Sequence, residues 1–574
     1  MKSPAFVGLL FLAAVVPHTL TVGTATATSA AASSSAVQTD APALGDLSKV
    51  GQVDFPTSCK PEVQPEFLRG VALLHSFFYG EARRIFIEVA EKDPSCAMAR
   101  WGEAMTWFHP IWAAPSPDDV KAGLAAVAKA EAAGARTERE RAYIETIAAY
   151  YRAEPGVDSG PVVQTCHGPT VPDSRRAAYR DALRKLHEKY PDDDEAAAFY
   201  ALSLIKSNPL KEDLPVQLEA AGILEPLWRK HPDHPGVVHY LIHAYDYPTL
   251  AKKGLAAANH YAQIAPWVPH ALHMPSHIYT RLGMWAESIK SNEDSAAASR
   301  AYSAAHHQGS TYYEELHALD YIAYARLQRC EDGKVKASVD QVNAITRTYS
   351  ENDVAVAYAV SAIPLRYALE RHAWKEAAAL RASDLAVRTP FAAAFVEFAH
   401  ALGQVRSGAL DACRESLGRM QARRDETSDP RFAFFRRQIE IQMLAIKGLI
   451  AQAEGRTDEA IALVRYAADE DDALGKNPVS PGSLYPIREI LGELMQDLNR
   501  PADAQAAFER SLELNPGRFN ALLGAGRAAE TAGRQEAARD YYGKLLDLAK
   551  AGDGTRPELA RARTYLKGDV ARTE

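Results

Sequence analysis

A spacing of 34 residues constrains this chain more than any other feature of its sequence. Ala504, Phe508 and Pro516 return in type as Ala538, Tyr542 and Lys550, each 34 positions later, and Gly526 follows Gly492 at the same interval. Around these positions, apolar residues three and four apart, interrupted by Gly or Pro roughly every fifteen residues, predict helices. Strand signals are nearly absent. The expected fold class is therefore all-α and repetitive.

The small residue, the aromatic and the closing proline make this period resemble the tetratricopeptide repeat, in which two helices touch at small side chains and cross at a ring. Other stretches match in part: Gly448 with Gly455 to Ala460, Ala82 with Phe86 and Pro94, Trp101 to Ala104, and Gly254 with Ser288 around the Leu282-Gly283 turn. Arg371 to Ala379 and Ser407 to Ala412 are weaker copies. The resemblance covers most of residues 61–550 and is best at the C-terminal end. It implies an α-solenoid of stacked antiparallel hairpins, because one such unit cannot bury its apolar face alone. Two interruptions stand out: a Gly/Pro-rich loop over 154–174 holding Cys166 and His167, and a second over 475–486. A soft boundary is expected between 425 and 432. This divides the chain into a degenerate array with a histidine-rich groove over 61–425 and a C-terminal array over 432–566.

The histidines share the period. His75 and His109, His239 and His273, His243 and His277, and His273 and His307 are each 34 apart. Chance placement of the 18 histidines would give about half of one such pair, so a structural register is implied. Residues i and i+4 lie one turn apart on a helix, so His239 with His243, and His273 with His277, each present two imidazoles together. First helices of adjacent repeats pack about 10 Å apart, within reach of a shared ion. Four imidazoles suit Zn²⁺ or Cu²⁺, and fewer leave an open position. Asp246, His317 and Asp320 are further candidates, as ligands or as carboxylates fixing an imidazole tautomer. Pro275 is expected to kink the chain between His273 and His277. Polar recognition of an anionic ligand and a hydrogen-bonded network are the rival readings of the cluster. In the repeat family the positions of these residues, and of His75, His109 and His270, line the concave groove, with Phe108 and Trp112 beside them.

His239-Tyr-Leu-Ile-His243-Ala-Tyr-Asp246 and Pro269-His-Ala-Leu-His-Met-Pro-Ser-His-Ile278 also resemble a family of exported bacterial repeat proteins carrying the same paired segments. Phe55 to Cys59, Ala72 to Phe77 and His317-Ala-Leu-Asp320 share that resemblance. It brings no biochemical function with it, but it implies that the segments work together.

The N-terminus fits export. Lys2 precedes an apolar run from Ala5 to Val16, and Ala25-Thr26-Ala27 offers a cleavage site. Residues 1–27 read as a signal peptide and 28–60 as a flexible tether, with periplasmic or secreted localisation, or membrane retention if the signal stays uncleaved. After cleavage no span of transmembrane length remains. Export permits disulfides. Cys59 precedes one helix of an expected hairpin and Cys96 follows its partner, so a bridge is geometrically reasonable, two half-buried thiols being the alternative.

Several classes are excluded. With 73 acidic and 65 basic residues, the chain lacks the basic balance of a nucleic-acid binder. It has no phosphate loop, dinucleotide fingerprint, HExxH or GxSxG, so no nucleotide is expected. His231-Pro-Asp-His234 reads as a helix cap and Asp192 to Glu195 as an acidic helix start. The expectation is an exported scaffold whose groove takes a protein or peptide and holds a divalent transition metal (Zn, Cu or Fe). The alternative is a metalloenzyme using the same histidines as an open catalytic site; whether any reaction is catalysed stays open.

Overall fold

The repeat becomes physical where an aromatic ring meets glycine. In the computed structural model, which describes residues 45–111, 115–154, 164–165, 168–169, 174–205, 214–350 and 352–573, Phe86 lies in a notch between Gly70 and Gly102. A Cβ at those glycines would come within 2.8 and 2.5 Å of the ring. Phe508 lies between Gly492 and Gly524 in the same way, at 2.6 and 2.3 Å. In both units each glycine is 16 residues from the ring. Close-packed interiors leave no room there for a methyl group, so the small–aromatic spacing is a packing rule. Each ring so buried contributes about 1.5–3 kcal/mol of hydrophobic stabilisation.

The result is an all-α, TPR-like solenoid. Helices pair as antiparallel hairpins, for example Gln64–His75 with Tyr79–Lys92, Pro390–Arg406 with Leu410–Glu426, and Phe519–Thr531 with Gln535–Leu548. Capping boxes at Ser116/Asp119 and Thr137/Glu140 set two of the helix starts. Strands among the described residues are limited to two-residue pairs, Gln164–Thr165 antiparallel to Gly168–Pro169 and Thr311–Tyr312 parallel to Thr348–Tyr349. Hairpin turns pass through a left-handed residue: glycine at 283, 408, 455 and 533, but Phe77 (φ 54°), Cys330, His372 and Asn499 elsewhere.

Contacts between distant repeats tie the array together. The Gln64–His75 helix packs on Pro235–Tyr245. At the other end, Arg518 is buried and bonds Glu370 at 2.8 Å and Glu489 at 2.5 Å. Arg556 bonds Asp332 at 2.6 Å, and Trp285 donates to the Gly517 carbonyl at 2.9 Å. The face of the C-terminal repeats around Arg518, Phe519 and Asn520 is thus occupied by the chain's own middle repeats.

Three expectations on organisation meet their outcome here. The tether does not run to residue 60: Val50 and Phe55 are buried, and Phe55 packs against Phe67, Trp101 and Tyr143. Phe55, the single aromatic of that polar stretch, anchors it to the first repeats. Nor is there a break in packing between 425 and 432, since Ala433–Ala453 packs on both Pro390–Arg406 and Leu410–Glu426. The polar run there is an exposed turn. Cys59 and Cys96 are joined in a disulfide with Cα atoms 4.7 Å apart, as the hairpin geometry allowed. The expected signal peptide, most of the 154–174 loop with Cys166 and His167, and Trp112 lie outside the described residues.

Candidate metal centre

Two proline-started helices carry the central histidines. His234 caps Pro235–Tyr245, its Nδ1 accepting from Val237 N at 3.2 Å, with Pro235 in the first turn. This sets the register that brings His239 and His243 onto one inward face. Pro269 starts the short helix Pro269–His273, and Pro275 starts Pro275–Arg281. The chain does divide at Pro275, yet Met274 keeps helical angles (φ −54°, ψ −36°). The expected kink therefore leaves His273 and His277 facing one another. Tyr313–Gln328 adds His317 and Tyr321 from a third direction.

Six imidazoles converge. His239, His243 and His270 form one triad of nitrogens within 4.8 Å of one another, and His273, His277 and His317 form a second. The triads adjoin, with ring centroids 5.8 Å apart for His243 and His277 and 6.0 Å for His270 and His273. None of the six is more than 7% exposed, so they form an enclosed centre and do not line an open groove. Phe77, at its left-handed turn, packs on His239 (4.4 Å), His270 (5.4 Å) and His243 (6.0 Å). Tyr261 stacks on His239, and Tyr321 packs against His273 and His277.

Hydrogen bonds assign the tautomers. His239 Nδ1 lies 2.7 Å from the His75 carbonyl, which can only accept, so Nδ1 carries the proton. His273 Nδ1 donates to Asn292 Oδ1 at 2.6 Å, the amide being oriented by its own donation to Ser288 O. His277 Nδ1 donates to Asp246 Oδ2 at 2.8 Å. Each of these rings then turns an unprotonated Nε2 toward its neighbour. The Nε2 atoms of His273 and His277 stand 3.0 Å apart, as do those of His239 and His243. Between His273 and His277, both of whose Nδ1 protons are committed, two lone pairs at that distance repel unless a cation lies between them. Two donors on one ion at about 2.0–2.1 Å are separated by a little over 3 Å, so the spacing suits ligation.

The electrostatics agree. Burial, reinforced by neighbouring imidazoles, pushes His239, His243, His273 and His317 well below the ordinary histidine range. Burial and Lys476 bring His277 down to about 4. Neutral imidazole is the ligating form. Asp246 stays ionised despite its burial, held well below the usual carboxylate range by Lys476, Arg281 and His277.

The remaining candidates separate. Asp246 sits behind His277 and bonds Arg281 at 2.9 Å and Lys476 at 2.8 Å, so it fixes a tautomer and is no ligand in this arrangement. Asp320 points its carboxylate to Arg366, a buried ion pair that removes it from the donor set. His270, named from the groove position alone, is a full member of the first triad. His307 stacks on Tyr349 and lies outside both triads. His109 packs on Tyr79 and shares no site with His75, their common spacing notwithstanding.

His75 belongs to a different cluster. Its Nε2 bonds Glu195 Oε2 at 2.8 Å, its Nδ1 takes the Tyr240 hydroxyl at 2.8 Å, and His234 Nε2 reaches Glu195 Oε1 at 2.9 Å. Every ring nitrogen there has a complementary partner, so this is a closed hydrogen-bond network. Sequence reasoning did not name Asn292 or Lys476, and it named Phe77 and Glu195 only as parts of segments, without a role at either cluster. For Lys476 the available signal was a lysine second in the Gly/Pro-rich interruption at 475–486. That loop brings Lys476 Nζ to 3.2 Å from His277 Nδ1 and lets Ser480 O accept from Tyr321 at 3.0 Å.

No protein-family model matches the chain, and no curated protein matches it. Among solved structures, it is similar to a human IFIT1 dimer with m7Gppp-AAAA, at 12% identity over 88% of this chain and 93% of that one, with a TM-score of 0.35. A human IFIT1 dimer with PPP-AAAA gives 12% identity over 88% and 94%, with a TM-score of 0.33. The APC/C hetero-tetramer Cut9-Hcn1 gives 11% over 88% and 89%, with a TM-score of 0.27. Likeness at this level transfers no ligand or activity.

Proposed function

We propose that this helical-repeat protein is a metal-binding protein whose repeats act as a scaffold around a six-histidine centre for transition-metal ions. The observation that carries the reading is the pair of unprotonated nitrogens of His273 and His277, 3.0 Å apart, with both Nδ1 atoms already committed to Asn292 and Asp246. A structural network would set a donor against an acceptor there, as the Glu195 cluster does; a cation removes the opposition instead. Imidazole donors without thiolate suit Zn, Cu, Fe or Ni. The self-occupied face at Arg518 favours this over capture of a peptide by the C-terminal repeats.

A catalytic role is the second reading, favoured by the donor count. Three nitrogens per triad leave a coordination position open, the arrangement of catalytic rather than structural sites. Work in an oxidising compartment completes the proposal and is supported by the Cys59–Cys96 disulfide. Among the described residues, no helix is long and apolar enough to cross a membrane.

Metal content tests it, on protein exported without a histidine tag and compared with a His239→Ala/His273→Ala double variant. Near-stoichiometric metal in the wild type, lost in the variant, is the expected result. No metal in either protein after reconstitution with zinc, iron and copper would sink the reading.

A further inference from the structure

The six donors divide into two sets of three, and all are imidazoles. Neither triad contains a carboxylate or a thiolate. Behind them, Asp246 is bonded to Arg281 at 2.9 Å and Lys476 at 2.8 Å, and buried Glu314 lies 3.4 Å from His270 Nδ1. Phe77 and Tyr261 wall the rings, Tyr321 packs on His273 with its hydroxyl 3.5 Å from His277 Nε2, and every ring is buried. An ion placed here meets a low-dielectric surrounding and no anionic atom among its triad donors.

Resting on the metal-binding reading above, we propose that the centre holds two copper ions in the monovalent state, one on His239, His243 and His270 and one on His273, His277 and His317.

Nuclearity follows from the grouping. The nitrogens within each triad lie within 4.8 Å of one another, while the triads share no residue. Three donors of one ion at bond lengths near 2.0–2.1 Å lie within about 4.2 Å of one another, a compactness that each triad approaches on its own. Identity follows from charge and coordination number. The solvation cost of burying an ion rises with the square of its charge, so a divalent ion costs roughly four times a monovalent ion of equal size. Two divalent ions would bring four positive charges to a buried centre whose nearby fixed charges, Asp246 and Glu314 against Arg281 and Lys476, only balance one another. Zn²⁺ on either triad would need an exogenous fourth ligand such as water. Copper(I) is satisfied by three imidazoles in a trigonal arrangement, and copper leads the divalent series in affinity for nitrogen donors should it become oxidised. The Phe77 ring covers His239, His243 and His270 on one side and shields the first triad from water.

The test is anaerobic loading of the full-length, tag-free protein with copper(I) and zinc together at equal concentration. Metal per chain is then counted and the copper oxidation state read by X-ray absorption, with electron paramagnetic resonance as a check. The expected result is two copper ions per chain, silent in resonance, with zinc excluded. Single variants His270→Gln and His317→Gln should each retain one copper, and the double variant none; far-ultraviolet dichroism and the Cys59–Cys96 bridge report that each has folded. Loss of all copper from either single variant would mean one shared ion and overturn the two-ion assignment. Zinc retained in preference to copper(I) would overturn the identity. Absence of every metal from folded wild type would instead overturn the metal-binding reading, an outcome distinct from the other two.

Discussion

Two buried histidine clusters lie side by side in this molecule and differ in one chemical respect. Around Glu195, an anionic carboxylate accepts from His75 and His234, and Tyr240 donates to the remaining nitrogen of His75. Donors and acceptors balance, so the cluster is complete as folded. A few ångströms along the same helix, His239 donates its Nδ1 proton to the His75 carbonyl and has only another imidazole on its far side. The residue type is the same in both; whether the carboxylate stands between two rings, as Glu195 does, or behind one, as Asp246 does, decides whether the cluster closes on itself or asks for a cation. Histidine count and burial alone would have ranked the two alike.

The contrast can be broken most sharply at Glu195. Glu195→Ala leaves two buried rings with unmatched N–H groups and should cost about 3–5 kcal/mol in denaturant unfolding, while metal content per folded chain is unchanged. Conversely, His273→Ala should remove one ion's share of the metal-dependent rise in melting temperature, about 4 kcal/mol per ion at a thousandfold excess over Kd. A stability loss of equal size in metal-free His273→Ala and Glu195→Ala would mean that both clusters are closed networks.

Phe77 gives the next largest effect. Phe77→Gly relieves a left-handed backbone worth about 1–2 kcal/mol but removes a buried ring worth about 3–5, for a net loss of roughly 2–3 kcal/mol. Metal exchange with a chelator should accelerate in this variant, and an unchanged exchange rate would show that the ring does not shield the centre.

The loop that carries Lys476 offers a pH test. Burial pushes Asp471, which accepts from Ile487 N at 3.2 Å beneath that loop, up to about 7. A carboxyl raised in the folded state stabilises it fully below its ordinary value of 3.8 and loses that contribution as pH rises toward about 7. Wild-type stability should therefore fall across that window relative to Asp471→Asn; parallel profiles would remove the assignment. The smallest effect is expected at Asn292. Asn292→Ala takes away the acceptor for His273 Nδ1 and should weaken metal binding about 10–100-fold with little change in fold, measured by competition with a chromophoric chelator.

Much of this was legible in residue order. The 34-residue recurrence of small and aromatic residues foretold the hairpins, and the Phe508 and Gly492 notch is its direct expression. His239, His243, His273 and His277 were recognisable as a set because one helical turn is a local property. His317 joined them through its place one turn from Asp320 near the start of the next first helix, and His270 through its groove position. Asp320 misled because its partner, Arg366, lies 46 residues away and removes it from the site. Lys476 was invisible for the same reason, being 199 residues from His277.

What the sequence determined by itself is periodic and local: helices, their pairing into repeats, and which imidazoles share a helix face. These depend on backbone hydrogen bonds and on side chains three, four or sixteen positions apart. Only the tertiary structure decided which face would be sealed, which carboxylate would satisfy which histidine, and that six rings would meet as two triads. Those outcomes depend on which distant groups fill the space around each ring. A buried nitrogen's chemistry is set by the one atom opposite it, and residue order does not specify that atom.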